Sequence, residues 1–444
     1  MTRVAKLLRA CAGDPAWALL DQGAALAASV LSFLLLGRSL GAAGYGAFVG
    51  LYALIGPLLA LSQSGVFLAA LEHIVRERED PGDVARSCLS MTAVIALVCV
   101  PVLSAASLRW IEGIAASTAL LLIGAEFCLN GVLFTCAGVV QAQRGFAAAA
   151  RLRIAAALSR VGLLATLALA GSLTLATLAL GQVATLGAVM LFALTRVSGL
   201  PGVEARPGRI RPRHVRSALL YGLGIGASIV QADGDKFVLN AAHHQADAGR
   251  YGAAYRLMLI AMLPISALVG ATHLSFLQAG DGAGGQVRRA VRLSLVALAY
   301  AVPAVVVLVL LAPLVPRFLT AEFAETTLIL RLLVPVVILR GVGVFPMNGL
   351  MGLGRNDLRT KLLVAHALLS LALYVALIPA YSWRGALAAT LVSEVSLCAS
   401  GWIALLACER RGGREAGAAG EPAPGPGPAG AAVSAALPAG TEAE

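Results

Sequence analysis

Apolar runs of about twenty residues recur along this chain, and its polar residues gather between them. The runs fall at about 16–36, 47–70, 88–107, 114–138, 154–172, 174–195, 217–240, 253–278, 292–312, 328–350, 361–380 and 384–407. Each is long enough to cross a hydrocarbon core of about 30 Å at 1.5 Å per residue. Lipid offers no hydrogen-bond partners, so such runs must be helices. The pattern predicts an all-α polytopic membrane protein with about twelve transmembrane helices. The faintest boundary is Gly171–Ser172, because 154–195 is nearly uncharged and only Gly171, Ser172 and Thr174 mark a turn.

The charges test that count. With the segments between runs numbered alternately inside and outside, the inside ones hold Arg3, Lys6, Arg9; Arg76, Arg78, Arg86; Arg144, Arg151, Arg153; six arginines from Arg196 to Arg216; Arg288, Arg289, Arg292; Arg355, Arg359, Lys361; and Arg410, Arg411, Arg414. The outside segments hold only Arg38, Arg109, Arg250, Arg317 and Arg384. Cytoplasmic loops carry such an excess of Lys and Arg, so both termini are expected in the cytoplasm of a cell whose inner membrane the chain crosses. Trp17, Trp110 and Trp383 fall near helix ends, where aromatic belts form.

The longest inside loop, 196–216, is rich in Pro, Gly and Arg. It divides the chain into six-helix bundles at 1–195 and 217–408, with 196–216 as a basic cytoplasmic linker. The stretch 409–444, Gly-, Ala-, Pro- and Glu-rich, is expected to be a disordered tail. The halves resemble each other. LGAAGYGAFVGLYALIGP (40–57) aligns with ADAGRYGAAYRLMLIAMLP (246–264), Tyr45 against Tyr251 and Gly46 against Gly252. GVVQAQRGFAAAARLRI (138–154) aligns with GLMGLGRNDLRTKLLVA (349–365), Arg144 against Arg355. Six helices per repeat give both repeats one orientation, related by a pseudo-twofold axis along the membrane normal.

Composition removes other classes. Charged residues make up 13% of the chain and hydrophobic residues 59%, against roughly 25% charged in a soluble domain. The net charge of +11 lies in particular loops, without a long basic run interleaved with aromatics, and argues against nucleic acid. The seven cysteines form no CxxC pair and read as packing residues. MTRVAKLLRA before the first run mimics a signal peptide, but the length of that run predicts an uncleaved helix.

Four stretches carry a resemblance: GRSLGAAGYGAF after the first helix, DGDKFVLNAAHHQADAGRYGAAYRLM across the seventh and eighth, NGLMGLGRNDLRTKL after the tenth, and WRGALAATLVSE at the twelfth. Together they resemble the bacterial oligosaccharide flippases within the multidrug/oligosaccharidyl-lipid/polysaccharide exporter superfamily. The resemblance implies two six-helix bundles around a central cavity, alternating access, and export of an undecaprenyl-pyrophosphate-linked oligosaccharide for cell-surface polysaccharide synthesis. It implies as partners that lipid-linked substrate, membrane lipids, a polysaccharide polymerase and a chain-length regulator. The residues themselves show no motif for a cofactor, a metal site or a catalytic residue.

An ionisable side chain at a helix centre costs roughly 3 kcal/mol, so each one invites an explanation. It either pairs with a neighbour or snorkels, or it faces the cavity and acts there. Asp233 and Lys236 are spaced i,i+3 on the seventh helix and can pair, while Asp235 points elsewhere; the group matches the family's acidic–basic signature on that helix. A pyrophosphate suits guanidinium groups, which donate two parallel hydrogen bonds. Arg340, the deepest arginine, is therefore the leading substrate-binding candidate, with Arg331 and Arg256 beside it. Arg160 is expected to snorkel. Glu126, near the repeat equivalent of Arg340, and Glu394 lie mid-helix; each fits ion coupling or an arginine pair. Asp21 with Gln22 in the first helix keeps a cation-coupled drug exporter open.

His243, His244, His273 and His366 read as packing or hydrogen-bonding residues. GLGIGA (222–227) follows no strand and reads as close helix packing, not a nucleotide loop. Without Walker, GxSxG or HExxH sequences, energy is expected from an ion gradient or downstream consumption. A lipid II flippase is a further alternative, though those chains usually add two helices. A membrane glycosyltransferase or polymerase, the alternative of a different class, works from large extramembrane loops that this pattern lacks.

Overall fold

The computed structural model describes residues 3–203, 206–278 and 282–418. Among them, nine continuous helices and one bent pair are long and apolar enough to cross a membrane. Two of the nine are double. Ala16–Arg76 breaks at Gly41 and Asn356–Arg410 breaks at Ser382. Counted by halves, the spans are twelve: α1 (3–40), α2 (42–76), α3 (Pro81–Trp110), α4 (Ala116–Arg144), α5 (Phe146–Leu169), α6 (Leu175–Ser198), α7 (Pro212–Ala241), α8 (Gln245–Ala261 with Leu263–Gln278, bent by 46° over Gln245–Thr272), α9 (Gly284–Phe318), α10 (Ala321–Gly352), α11 (356–381) and α12 (383–418). The expected order and number are present, and no strand occurs among the described residues. The protein is a multi-pass membrane protein with two bundles, α1–α6 and α7–α12.

Local sequence explains the breaks. Gly41 has φ +69°, a conformation that costs glycine little, and it reverses the chain between α1 and α2. The faint boundary before α6 is a tight turn. Gly171 has φ +63°, and Thr174 caps α6 by accepting from the Thr177 N–H while the Thr177 hydroxyl accepts from Thr174 N. Three wide helical turns interrupt the spans, at Leu61–Gly65 and Glu72–Arg76 in α2 and Ala125–Asn130 in α4. Such turns recur at functional sites. These three carry Gln63, His73 and Glu126, each a member of a polar cluster described below.

The two bundles meet along α2, which packs on α7 and the start of α8. Small residues let the backbones approach, as helix pairs in lipid require. A Cβ on Gly46 would lie 1.9 Å from the Gln245 carbonyl oxygen, and one on Gly249 1.9 Å from that of Ala42. Toward the other end, Gly65 lies against Ala218 and Gly222, and Gly222 against Leu61. The expected packing role of 222–227 is therefore seen. At the Gly46 end, Asn240 Nδ2 donates to the Gly46 carbonyl at 3.1 Å, and the Glu322 carboxylate accepts from the Ala42 N–H at 2.7 Å.

The opposite membrane face, here the basic face, carries Arg76, Arg86, Arg144 and the 196–216 linker. The linker is not loose along its length. Gly208 N donates to Ser90 Oγ at 2.8 Å and Arg211 N to Ser87 Oγ at 3.1 Å, so it lies over α3. α12 continues to Ala418, beyond the boundary expected at 409. The rest of the expected tail, 419–444, lies outside the described residues, as do 204 and 205.

We predict that Gly46→Ala destabilises the protein by about 1–3 kcal/mol, the usual cost of overpacking. Gly124→Ala, whose Cβ meets nothing within 4 Å, is expected to be neutral or to stabilise by up to ~1 kcal/mol. Thermal unfolding in detergent separates the two.

Candidate substrate cavity

A cavity of about 770 Å³ lies among α1, α2, α4, α5, α6, α7 and α8. It reaches from Asp21 and Arg153, near the basic face, to Lys236 and Arg256, toward the opposite face. Seven charged residues line it: Asp21, Glu126, Asp233, Arg153, Arg160, Lys236 and Arg256. Low-dielectric surroundings strengthen attraction between charges, and six of the seven are paired. Arg153 meets Asp21 at 2.9 Å. Lys236 directs Nζ to Asp233 and Asp235, each at 3.0 Å, and to the Ala232 carbonyl at 2.8 Å. Asp235, expected to need a partner elsewhere, thus shares Lys236 with Asp233; it is buried and does not line the cavity.

Glu126 is a hub. It accepts from Tyr52 at 2.8 Å, Gln182 at 2.8 Å, Asn130 at 2.8 Å and Gln63 at 3.4 Å. Its charged neighbour, Arg160, stands off at 3.7 Å and lies over the Tyr52 ring. Arg160 thus turns inward to a carboxylate where snorkelling was expected. The wide turn at Ala125–Asn130 brings both Glu126 and Asn130 to this hub. Arg256 differs from the other cations. It donates to Ser29 Oγ at 3.0 Å, and among the described residues no carboxylate lies within 4.0 Å of it.

The second bundle holds a related hub with the charges exchanged. Arg340 on α10 donates to Glu394 on α12 at 2.7 Å and to the Tyr255 hydroxyl on α8 at 2.8 Å. In the first bundle the corresponding second, fourth and sixth helices supply Tyr52, Glu126 and Gln182. This follows the pseudo-twofold repeat, in which Glu126 falls near Arg340. It also separates the three expected pyrophosphate ligands. Arg256 lines the cavity, Arg340 is held outside its lining by Glu394, and Arg331 sits exposed on α10. Glu394 likewise stands in an ion pair and away from the cavity. Asp21, Asp233, Lys236 and Glu126 do line it.

Sequence reasoning missed Tyr52, Gln63, Asn130, Gln182, Ser29 and Arg153 as members of the site. Three of these are amides inside apolar runs, which is a legible signal. Arg153 was assigned only to a loop, because helix α5 begins earlier, at Phe146, than the apolar run does.

The chain shares its fold with solved transporters of the multidrug/oligosaccharidyl-lipid/polysaccharide exporter superfamily. One similar structure is titled as the inward-facing conformation of a multidrug resistance MATE family transporter (14% identity, TM-score 0.71, covering 87% of this chain and 96% of that one). Another is the lipid II flippase MurJ in an inward closed conformation (12% identity, TM-score 0.63, 87% of each chain). A third is a transporter of this superfamily from Pyrococcus furiosus, described as having a binding pocket of reverse polarity (16% identity, TM-score 0.58, 92% and 99% covered). No individually curated protein matches the sequence. Residues 15–273 match the polysaccharide biosynthesis protein family, and the chain belongs to that family.

Removing one member of a buried ion pair strands the other. Glu394→Ala is therefore expected to destabilise the protein by about 3 kcal/mol, whereas the double variant Arg340→Met/Glu394→Leu recovers most of that loss. Thermal unfolding of the three proteins checks it; equal losses in both variants contradict the pairing.

Proposed function

We propose that the protein is a flippase that carries an undecaprenyl-pyrophosphate-linked oligosaccharide from the inner to the outer leaflet of a bacterial inner membrane. It acts as a transporter and not as an enzyme. The basic face is the cytoplasmic one by the distribution of Lys and Arg, which places both termini there. The polar cavity extends toward that face, while Gly46–Gly249, Asn240 and Glu322 close the other. In this state the polar head enters from the cytoplasm as the lipid tail stays in the bilayer.

The observation that carries the reading is Arg256: a cation that lines the cavity and, among the described residues, has no carboxylate partner. It is the group an incoming pyrophosphate meets with least competition, and a guanidinium can grip phosphate oxygens bidentately. Arg160, loosely held at 3.7 Å from Glu126, is the second phosphate ligand. As Arg160 turns to the phosphate, Glu126 keeps only its neutral partners, and it is the group we assign to ion coupling. Ser29, Gln63, Asn130 and Gln182 offer the mixed donors and acceptors that sugar hydroxyls need. Lys236 is compensated by two carboxylates and serves to order α7. Arg340, Arg331 and Glu394 take structural places in this scheme. A cavity of this volume lies within the usual range for small-ligand sites, so it accommodates the head in parts and not a polymer.

Reconstituted vesicles containing a fluorescent undecaprenyl-pyrophosphate oligosaccharide test this. Wild type is expected to move the lipid, and Arg256→Ala to slow it by about tenfold, the effect of losing ~1.4 kcal/mol of phosphate interaction. Arg331→Ala is expected to leave the rate unchanged. Movement that is insensitive to Arg256→Ala keeps the flippase and discards the site. No lipid movement, with ion-driven extrusion of an organic cation from the same vesicles, assigns a drug exporter instead.

A further inference from the structure

Away from the cavity, the basic-face end of the seam between the bundles holds a buried cluster. His73 comes from the wide turn ending α2, Glu79 from the α2–α3 loop, and His214 from the first turn of α7. His73 Nδ1 lies 2.8 Å from Glu79 Oε1, and His214 Nε2 lies 3.1 Å from Glu79 Oε2. The ring centroids are 4.3 Å apart. His73 is 5% and His214 0% exposed. Each ring's other nitrogen, His73 Nε2 and His214 Nδ1, is buried without a partner.

We propose that His73, Glu79 and His214 form a proton-sensitive latch that pins the first bundle to the second at the basic face. The geometry fits two neutral imidazoles, each donating its single N–H to one oxygen of a shared carboxylate. The partnerless nitrogens are then acceptors. Protonating either ring puts an N–H there, buried with nothing to receive it, and sets a positive charge against the second ring. Glu79 offers little compensation, because it already accepts from Arg211 at 3.2 Å and Arg213 at 2.6 Å. A divalent cation fits less well. It would have to displace both arginines, and each metal-bound ring would leave a buried N–H unpaired.

Asp83 on α3 pairs with Arg86 and Arg211, and Glu72 on α2 pairs with Arg76. The Cys88 thiol of α3 lies on the Glu79 side, and Tyr221 of α7 lies beside Glu72. Burial pushes the Glu79 carboxyl up, but hydrogen bonds from His214 and His73 and the nearby charge of Arg213 outweigh it and hold it below the ordinary carboxylate range. Glu79 therefore stays ionised through the range in which histidines titrate.

The direction follows by linkage. The released form can take up protons on ring nitrogens that the latched form leaves buried without a receiver, so acid favours release and the latch holds as pH rises. Acid at this face releases the end of α2 from α7 and frees the bundles to move. This holds whichever substrate the cavity carries.

Hydrogen–deuterium exchange of the intact protein in nanodiscs, corrected for the intrinsic pH dependence of the chemistry, reads the latch in peptides covering 72–86 and 208–220. Between pH 7.5 and 5.8, wild type is expected to open more by at least about fivefold. His73→Asn and His214→Gln keep a donor near Nδ1 and Nε2 respectively and remove the titration. At least one of them alone should reduce the response, and the pair should abolish it. If the pair does not fold, the single variants still carry the test. A pH-independent wild type, a response that survives in the pair, or one that neither single variant reduces, overturns the proposal. Protection of these peptides by micromolar Zn²⁺, reversed by EDTA and absent from the variants, overturns it in favour of a metal site.

Discussion

An ionised side chain within the hydrocarbon layer has to find its counter-charge inside the protein, and this requirement organises the whole arrangement. In the second bundle Arg340 and Glu394 satisfy each other directly, with Tyr255 completing the guanidinium's bonds. In the first bundle Glu126 is satisfied chiefly by neutral donors, and Arg160 stands at a distance. The same helical positions therefore make a closed ion pair on one side and an open hub on the other. Charge that is not consumed in pairing is left in the cavity, at Arg256.

The second organising feature is the close approach of α2 to α7 and α8. Glycines at 46, 65, 222 and 249 bring the backbones together where side chains would hold them apart. A seam of this kind resists sliding but tolerates rotation about its length. Polar clusters sit at both ends: Asn240 and Glu322 at the face away from the arginines, His73, Glu79 and His214 at the basic face.

The helix count and order were legible because hydrocarbon thickness sets a length and clustered arginines mark the ends of the runs. Even the uncharged stretch 154–195 resolved correctly, since Gly171 and Thr174 are a turn and a cap. The intramembrane charges were legible as residues but not as pairs. Helical spacing relates Asp233 to Lys236, yet nothing in it relates Arg340 to Glu394, 54 positions away on another helix. Depth along a helix suggested Arg340 as the cavity residue. Depth does not report which way a side chain faces, and of the three arginines expected to bind pyrophosphate Arg256 is the one that lines the cavity. The His73–His214 contact joins residues 141 positions apart across the two bundles, and neither histidine carries a spacing motif.

The most direct test of this account is a structure with the lipid-linked oligosaccharide bound, determined by electron microscopy in nanodiscs. The account predicts pyrophosphate density within hydrogen-bonding reach of the Arg256 and Arg160 side chains, with Arg160 drawn away from Glu126 and the Arg340–Glu394 pair intact. Pyrophosphate seated against Arg340, with Glu394 displaced and Arg256 still on Ser29, would contradict it.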